Sequence, residues 1–208
     1  DRMVYRVGEP IDVSVVAVDP KGQPLDRTVP VKVEWIHRRF DTVRVQGAGD
    51  AISFRTETHN DTLATTNGAT LLPIKEGTQW KIRDGATATF TPEKAGQYLV
   101  RVTAKDLHGN QAISEGIVFV SGPDAIAWDY RHPAQVDLVS DKTDYLPGET
   151  ARVMVKTPID GEATITIERG DRVLRTQRAT LSGNAPVLEI PLEAGDGPNV
   201  IVSMVVMR

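Results

Sequence analysis

The side chains best suited to chemistry are few and scattered. The four histidines, His37, His59, His108 and His132, include no pair at the i, i+2 spacing that would set two imidazoles on one face of a strand, so no metal site is expected. The chain has no cysteine, which removes thiol nucleophiles, disulfides, zinc ribbons and iron–sulfur clusters together. No Gly-x-Ser-x-Gly elbow, glycine-rich phosphate loop with lysine or calcium-loop aspartate ladder occurs. Gly47-Ala48-Gly49 resembles half a dinucleotide fingerprint, but it lacks the third glycine and precedes no helix, and it reads as a hairpin tip. Asp19 with Asp106, and Asp137 with Asp141, are better explained as caps of turns than as ligands. Asn60-Asp61-Thr62 matches the glycosylation sequon, a pattern too short to carry weight. No catalytic, cofactor-binding or metal-ligating residue is therefore assigned; the chain reads as no enzyme and as needing no cofactor.

Bulk properties narrow the partners. A net charge of -4 and a pI near 5.6 provide no basic field for a phosphate backbone, so nucleic acid is not an expected partner. No apolar run approaches the roughly 18 residues of a membrane span, so direct membrane insertion is not expected either. A hydrophobic content of 40% with 25% charged residues is ordinary for a folded globular chain. The lack of cysteine suits the cytosol and equally the Gram-negative envelope. Asp1 opens directly on strand-like sequence with no basic and apolar leader, and the chain reads as a piece of a longer polypeptide.

The elements that would position any site are strands. Ile11 to Val18, Val29 to Ile36, Gly96 to Ala104, Ala112 to Val120, Ala151 to Thr157, Ala163 to Glu168 and Val200 to Met207 are rich in β-branched residues and bounded by turn formers. In Thr164-Ile165-Thr166-Ile167 the alternation sets the isoleucines on one face and the threonines on the other. Tyr98, Val100 and Val102 alternate in the same way and are expected inward. Asp19-Pro20-Lys21-Gly22, Asp106 to Asn110 and Asn67-Gly68 are turn signals, pairing a polar side chain that can cap backbone with a glycine that tolerates positive φ. Thr42 to Gln46, Ala51 to Thr56 and Ala69 to Ile74 read as an inserted hairpin or elongated strands. Val200 to Met207 is apolar on both faces, and core placement is expected because an exposed strand of that kind invites edge pairing.

One pattern occurs twice. Tyr5-Arg6-Val7-Gly8-Glu9 and Tyr145-Leu146-Pro147-Gly148-Glu149 each lead into an apolar run, with Pro147 presetting φ and Gly148 accepting the positive φ of a type II turn. The repeat, 140 positions apart in a chain of 208 residues, suggests two all-β domains in tandem, each an antiparallel β-sandwich of the immunoglobulin or fibronectin III kind. The boundaries expected are 1–122 for the first domain with its inserted or elongated strands, 123–134 for a linker, and 135–208 for the second. Within the linker, Trp128, Tyr130 and His132 stand among polar residues. An aromatic is costly to leave in water, so Trp128 is expected to be clamped between the domains.

The second half can be read as one string: Asp141-Lys142, Tyr145-Leu146-Pro147-Gly148-Glu149, Thr157-Pro158, Ala163 to Ile167 followed by Glu168-Arg169, and Pro198-Asn199-Val200-Ile201-Val202-Ser203. It resembles the macroglobulin-type domain that immediately precedes the bait region in bacterial α2-macroglobulins. The first half, with Glu34-Trp35, Gly96-Gln97-Tyr98, Asp106 with Gly109, and Trp128 with His132, is similar to the preceding macroglobulin-type domain. The resemblance implies a structural scaffold within a protease-trapping protein of the periplasm, often lipid-anchored, that is cleaved in its bait region and collapses around the protease. Its implied partners are proteases, met through a bait region and a thioester lying outside this chain, and neighbouring domains of the same polypeptide. A stalk or binding array of a bacterial surface adhesin is the rival reading, because immunoglobulin-like repeats share this vocabulary of turns and strands.

Overall fold

The computed structural model describes residues 2–46, 52–76, 79–82, 85–106, 108–129 and 135–208, where the regular elements are β-strands apart from a 3-10 turn at Ala194–Asp196. The chain is all-β. Strands β1 (Val4–Arg6), β2 (Ile11–Val13), β3 (Pro30–Gln46), β4 (Ile52–Ala69), β5 (Ile74–Glu76), β6 (Gln79–Lys81), β7 (Ala88–Phe90), β8 (Gly96–Lys105) and β9 (Gln111–Ser121) make up the first half. Their main sheet has the order β1-β9-β8-β3-β4, β2 pairs with β7, and β5 with β6. The second half holds β10 (Asp137–Ser140), β11 (Thr150–Lys156), β12 (Gly161–Arg169), β13 (Arg172–Leu181), β14 (Val187–Pro191) and β15 (Ile201–Met207), in two sheets ordered β10-β11-β14 and β13-β12-β15. Among the described residues strand pairing is antiparallel except that β1 runs parallel to β9.

Alternation explains each core. On β3 the inward positions Val31, Val33 and Trp35 pack with Tyr98 and Val100 of β8, Val120 of β9 and Ile11 of β2. The Trp35 ring stacks on Phe90 at 5.0 Å between centroids. Tyr98 is fully buried, and its hydroxyl donates to the Lys94 carbonyl at 2.8 Å, which satisfies the one polar atom of a ring that otherwise only packs. In the second half, Ile165 and Ile167 of β12 face Ala151 and Val153 of β11 and Ile190 of β14, and Ala163 packs with Val155 and Leu181, while Thr164 and Thr166 lie on the other face and are half-buried.

Several sequence expectations are corrected. The strand begun at Val29 does not end at Ile36; it runs to Gln46 and pairs along its length with β4, which bears out the elongated-strand alternative for Thr42 to Gln46 and for the described part of Ala51 to Thr56. Ala69 to Ile74 is not a strand throughout: residues 70–73 are irregular, and the Thr70 amide donates to the Val29 carbonyl at 2.9 Å and the Leu71 amide to the Val15 carbonyl at 2.7 Å. Asn67-Gly68 is no turn but part of β4, opposite Lys32 and Val31. Gly68 is required there by close approach, since a Cβ would lie 2.6 Å from the Thr87 carbonyl oxygen. The strand expected from Ile11 to Val18 stops at Val13, where the Thr87 hydroxyl takes over as acceptor for the Val15 amide. Among the described residues Val200 to Met207 is an edge strand rather than a covered central one: β15 pairs there with β12 alone, and Ile201, Val205 and Met207 are exposed.

Candidate functional site

The repeated pattern folds into the same device twice. Gly8 and Gly148 have φ of +81° and +90°, and the amides of Glu9 and Glu149 donate to the carbonyls of Arg6 and Leu146 at 3.0 and 3.1 Å, closing equivalent turns. Each glutamate then reaches back across its turn to accept the amide three residues earlier, Arg6 N and Leu146 N, both at 2.9 Å. A basic residue completes each: Arg2 pairs with Glu9 at 2.7 Å and lies over the Tyr5 ring, and Lys142 pairs with Glu149 at 2.9 Å and lies over the Tyr145 ring. Partial burial works against the charged form of Glu9, yet hydrogen bonds from Arg2 and the Arg6 amide, with the Arg2 and Arg152 charges, hold it below the ordinary carboxylate range. Glu149 is lowered by the Lys142 and Leu146 bonds. Burial first, and then the hydrogen bond to Asp141, push the Tyr145 hydroxyl up to about 12.

These devices flank the contact between the halves. The Met3 amide donates to the Asp141 carbonyl at 2.7 Å while the Met3 carbonyl accepts the Phe119 amide at 2.7 Å, so one residue bridges β9 to the second half. Asp141 is buried, and its Oδ1 accepts the Tyr145 hydroxyl at 2.6 Å and the Arg152 amide at 2.9 Å. Beside this bridge lies a shared core of Val4, Ile126, Trp128, Met154 and Ala185, with Phe119, Val139 and Val187 packed around it. Trp128 is 5% exposed. Its indole N–H donates to the Asn184 carbonyl at 2.8 Å, and the Asn184 side chain holds the Ile126 backbone through both of its groups, accepting at 3.0 Å and donating at 2.5 Å. The Lys156 ammonium lies 5.4 Å from the Phe119 ring centroid and 5.2 Å from that of Trp128, a cation set against two aromatic rings. Apolar burial, an anchored indole and satisfied backbone groups together resist rotation of one half against the other.

A second anchor fixes the root of β15. Arg175 of β13 makes a bidentate pair with Asp196, at 2.6 and 2.7 Å, and donates to the Pro191 carbonyl at 2.7 Å. Arg169 of β12 donates to the carbonyls of Gly195 and Gly197 at 2.6 and 3.0 Å. The Arg175 fork lowers the Asp196 carboxyl to about 2, and two arginines thereby pin residues 193–197 across the end of their sheet.

The sequence candidates for chemistry are not brought together. His37 is buried beside Tyr98 with its Nε2 3.2 Å from the Ala95 carbonyl, and burial lowers its pKa. His59 pairs with Asp41 on the β3–β4 ribbon. Asp19 and Asp106 are turn caps: Oδ1 of Asp19 accepts from Lys21 N and Gln23 N, and that of Asp106 from His108 N and Asn110 N, all at 2.8 Å. Asp61 of the sequon pairs with Arg39 within the ribbon. Asp137 approaches Lys156 at 3.5 Å. Gly47-Ala48-Gly49, Tyr130 and His132 lie outside the described residues. Among the described residues no group of three His, Asp or Glu is placed to hold a metal ion, and no helix is long and apolar enough to cross a membrane. Asn184, Met154, Ala185 and Lys156 were not singled out from sequence; the only sign of the contact they form was the cost of leaving Trp128 in water.

The chain is similar to known proteins along its length. Residues 136–208 match the family model described as the alpha-2-macroglobulin bait region domain, whereas the sequence reading sets the bait beyond this half. An alpha-2-macroglobulin homolog of Nostoc sp. is 22% identical over 206 residues, covering 97% of this chain and 10% of its own length. The native conformation of E. coli alpha-2-macroglobulin, solved by cryo-EM, aligns with 99% of this chain and 12% of its own at 18% identity and a TM-score of 0.43. The crystal structure of Salmonella alpha-2-macroglobulin reacted with methylamine aligns with 99% of this chain and 13% of its own, at 15% identity and a TM-score of 0.37. The chain thus spans about a tenth of the length of the relatives it matches.

Proposed function

From its relation to the bacterial alpha-2-macroglobulin family, we propose that the chain is a scaffold segment of a protease-trapping protein, performing no catalysis of its own. The observation that carries this reading is the shared core around Trp128, which joins two sandwiches into one strut. A trap that collapses after a single cut needs parts that transmit motion without bending, and a packed, hydrogen-bonded joint does that where a bare linker would absorb it. The partners proposed are proteases, engaged through segments outside these residues, and the neighbouring domains of the same polypeptide. The location proposed is the bacterial periplasm, with the longer protein held to the inner membrane by a lipid.

The test is made in the full-length protein. Trp128→Ala is expected to leave cleavage by an attacking protease intact while reducing capture of the cleaving enzyme. Capture equal to that of the unaltered protein, with the joint shown to be loosened, would overturn the strut reading. An adhesin stalk would instead show no capture in either protein.

A further inference from the structure

On β11 the inward Ala151, Val153 and Val155 alternate with Arg152, Met154 and Lys156, which the strand turns toward the first half. Met154 packs in the shared core, and Lys156 rests against Phe119 and Trp128. Arg152 is different. Its Nε and Nη2 are shielded from water, and among the described residues neither has a hydrogen-bond partner. Glu189, opposite it on β14, leaves both atoms unpaired. A cation kept out of water with two open donors weakens the structure that holds it.

The first half brings a carboxylate to this place. β1 packs on β11, the Met3 amide is bonded to the Asp141 carbonyl at 2.7 Å, and the Asp141 amide to the Arg152 carbonyl at 2.8 Å, so the turn that follows β1 stands beside Arg152. That turn carries Glu9, whose carboxyl is raised by burial and lowered by its bonds to Arg2 and the Arg6 amide and by the charges of Arg2 and Arg152. Both of its oxygens are engaged: Oε1 accepts from Arg2 Nη1 at 2.7 Å and Oε2 from the Arg6 amide at 2.9 Å. The matching turn at Glu149 is completed in the same way by Lys142 and the Leu146 amide. One cation therefore completes such a turn, and at Glu9 two arginines stand to one carboxylate.

We infer that Glu9 exchanges between Arg2 of its own half and Arg152 of the other, and that the exchange sets how firmly the joint is held. In the arrangement present, the ion pair lies within the first half and Arg152 stands unsatisfied in the joint. In the second arrangement Glu9 turns to Arg152, the open donors are filled, and the carboxylate ties one half to the other. Arg2 is the partner that gives way. Its side chain is 32% exposed and is held besides by the Val4 carbonyl at 3.1 Å and the Tyr5 ring, so water or an anionic group on a neighbouring surface draws it off at little cost. This device belongs to the joint alone and stands whether or not the longer protein traps proteases.

Thermal melts of Arg2→Met, Arg152→Met and the double variant test it. With Arg2 in place, Arg152→Met removes a cation that has no partner and is expected to leave Tm unchanged or raise it by about 2 °C. In the Arg2→Met background, where Arg152 holds Glu9, the same change is expected to lower Tm by about 3 °C or more. In a Glu9→Gln chain this reversal should vanish. NMR titration of the Glu9 carboxyl gives a readout that a merely packing role would not move: in Arg2→Met it should stay as acidic as in the unaltered chain and rise only in the double variant. The proposal is overturned if Arg152→Met has the same effect on Tm in both backgrounds, if the difference persists in Glu9→Gln, or if Arg2→Met alone raises the Glu9 carboxyl as far as the double variant does.

Discussion

Gly148 has φ of +90° and open space where a Cβ would stand, so a side chain there meets only the backbone penalty of the left-handed region. Gly148→Val is expected to cost about 1–2 kcal/mol in urea denaturation; an unchanged midpoint would show that the turn is not held in this conformation. Tyr98 acts through packing as well as through its hydroxyl. Tyr98→Ala is expected to cost about 3–5 kcal/mol by emptying a fully buried aromatic site, whereas Tyr98→Phe, losing only the bond to Lys94, should cost about 0.5–1.5 kcal/mol. Equal losses from the two would put the ring outside the core. Asp196 gives a pH dependence. Its folded pKa of about 2 lies below the ordinary 3.8, so between those values the unfolded chain binds the proton more readily, and stability falls as pH falls. The contribution is complete above about pH 4 and lost toward pH 2. Asp196→Asn should flatten that acid-side decline in thermal melts at successive pH values, and a decline of unchanged steepness would exclude the Arg175 pair as its source.

At the scale of elements, two glycines with opposite surroundings separate close approach from mere flexibility. Gly68→Ala drives a Cβ to 2.6 Å from the Thr87 carbonyl, while Gly116 has nothing within 4 Å. The first substitution should cost about 1–3 kcal/mol and the second should be neutral or stabilise by up to about 1 kcal/mol; denaturation curves that rank them the other way would contradict the packing of β4 on the segment before β7. This contrast also marks where sequence reading succeeds. The Ile165 and Ile167 alternation, the Asp19 and Asp106 caps and the Pro147-Gly148 turn are set by neighbours in the chain, and all were legible. Asn67-Gly68 carries the same residue types as a turn, yet its glycine answers to Thr87, a contact that local pattern does not contain. β13 was missed because two of its inward positions are Arg175 and Gln177 and its apolar Val173 and Leu174 are exposed, so burial alternates along the strand while hydrophobicity does not. β15 was misplaced because its apolar faces suggested a covered strand, whereas among the described residues only β12 pairs with it.

For the whole molecule, the decisive feature is the joint, and only Trp128 announced it. Asn184 follows Gly183 in what reads as an ordinary turn, and its task depends on Ile126, 58 residues away. Truncating Trp128 removes the largest side chain of the shared core, an indole that is 5% exposed, so the two sandwiches should keep their own cores and lose their fixed mutual orientation. Because the chain has no cysteine, spin labels can be placed at will. The most direct measurement is the distance distribution between labels on His108→Cys and Asp171→Cys, two exposed positions in opposite halves, recorded by double electron–electron resonance with and without Trp128→Ala. A single narrow distance that broadens when Trp128 is removed is the expected result. A distribution already broad in the chain with Trp128 intact would contradict the account.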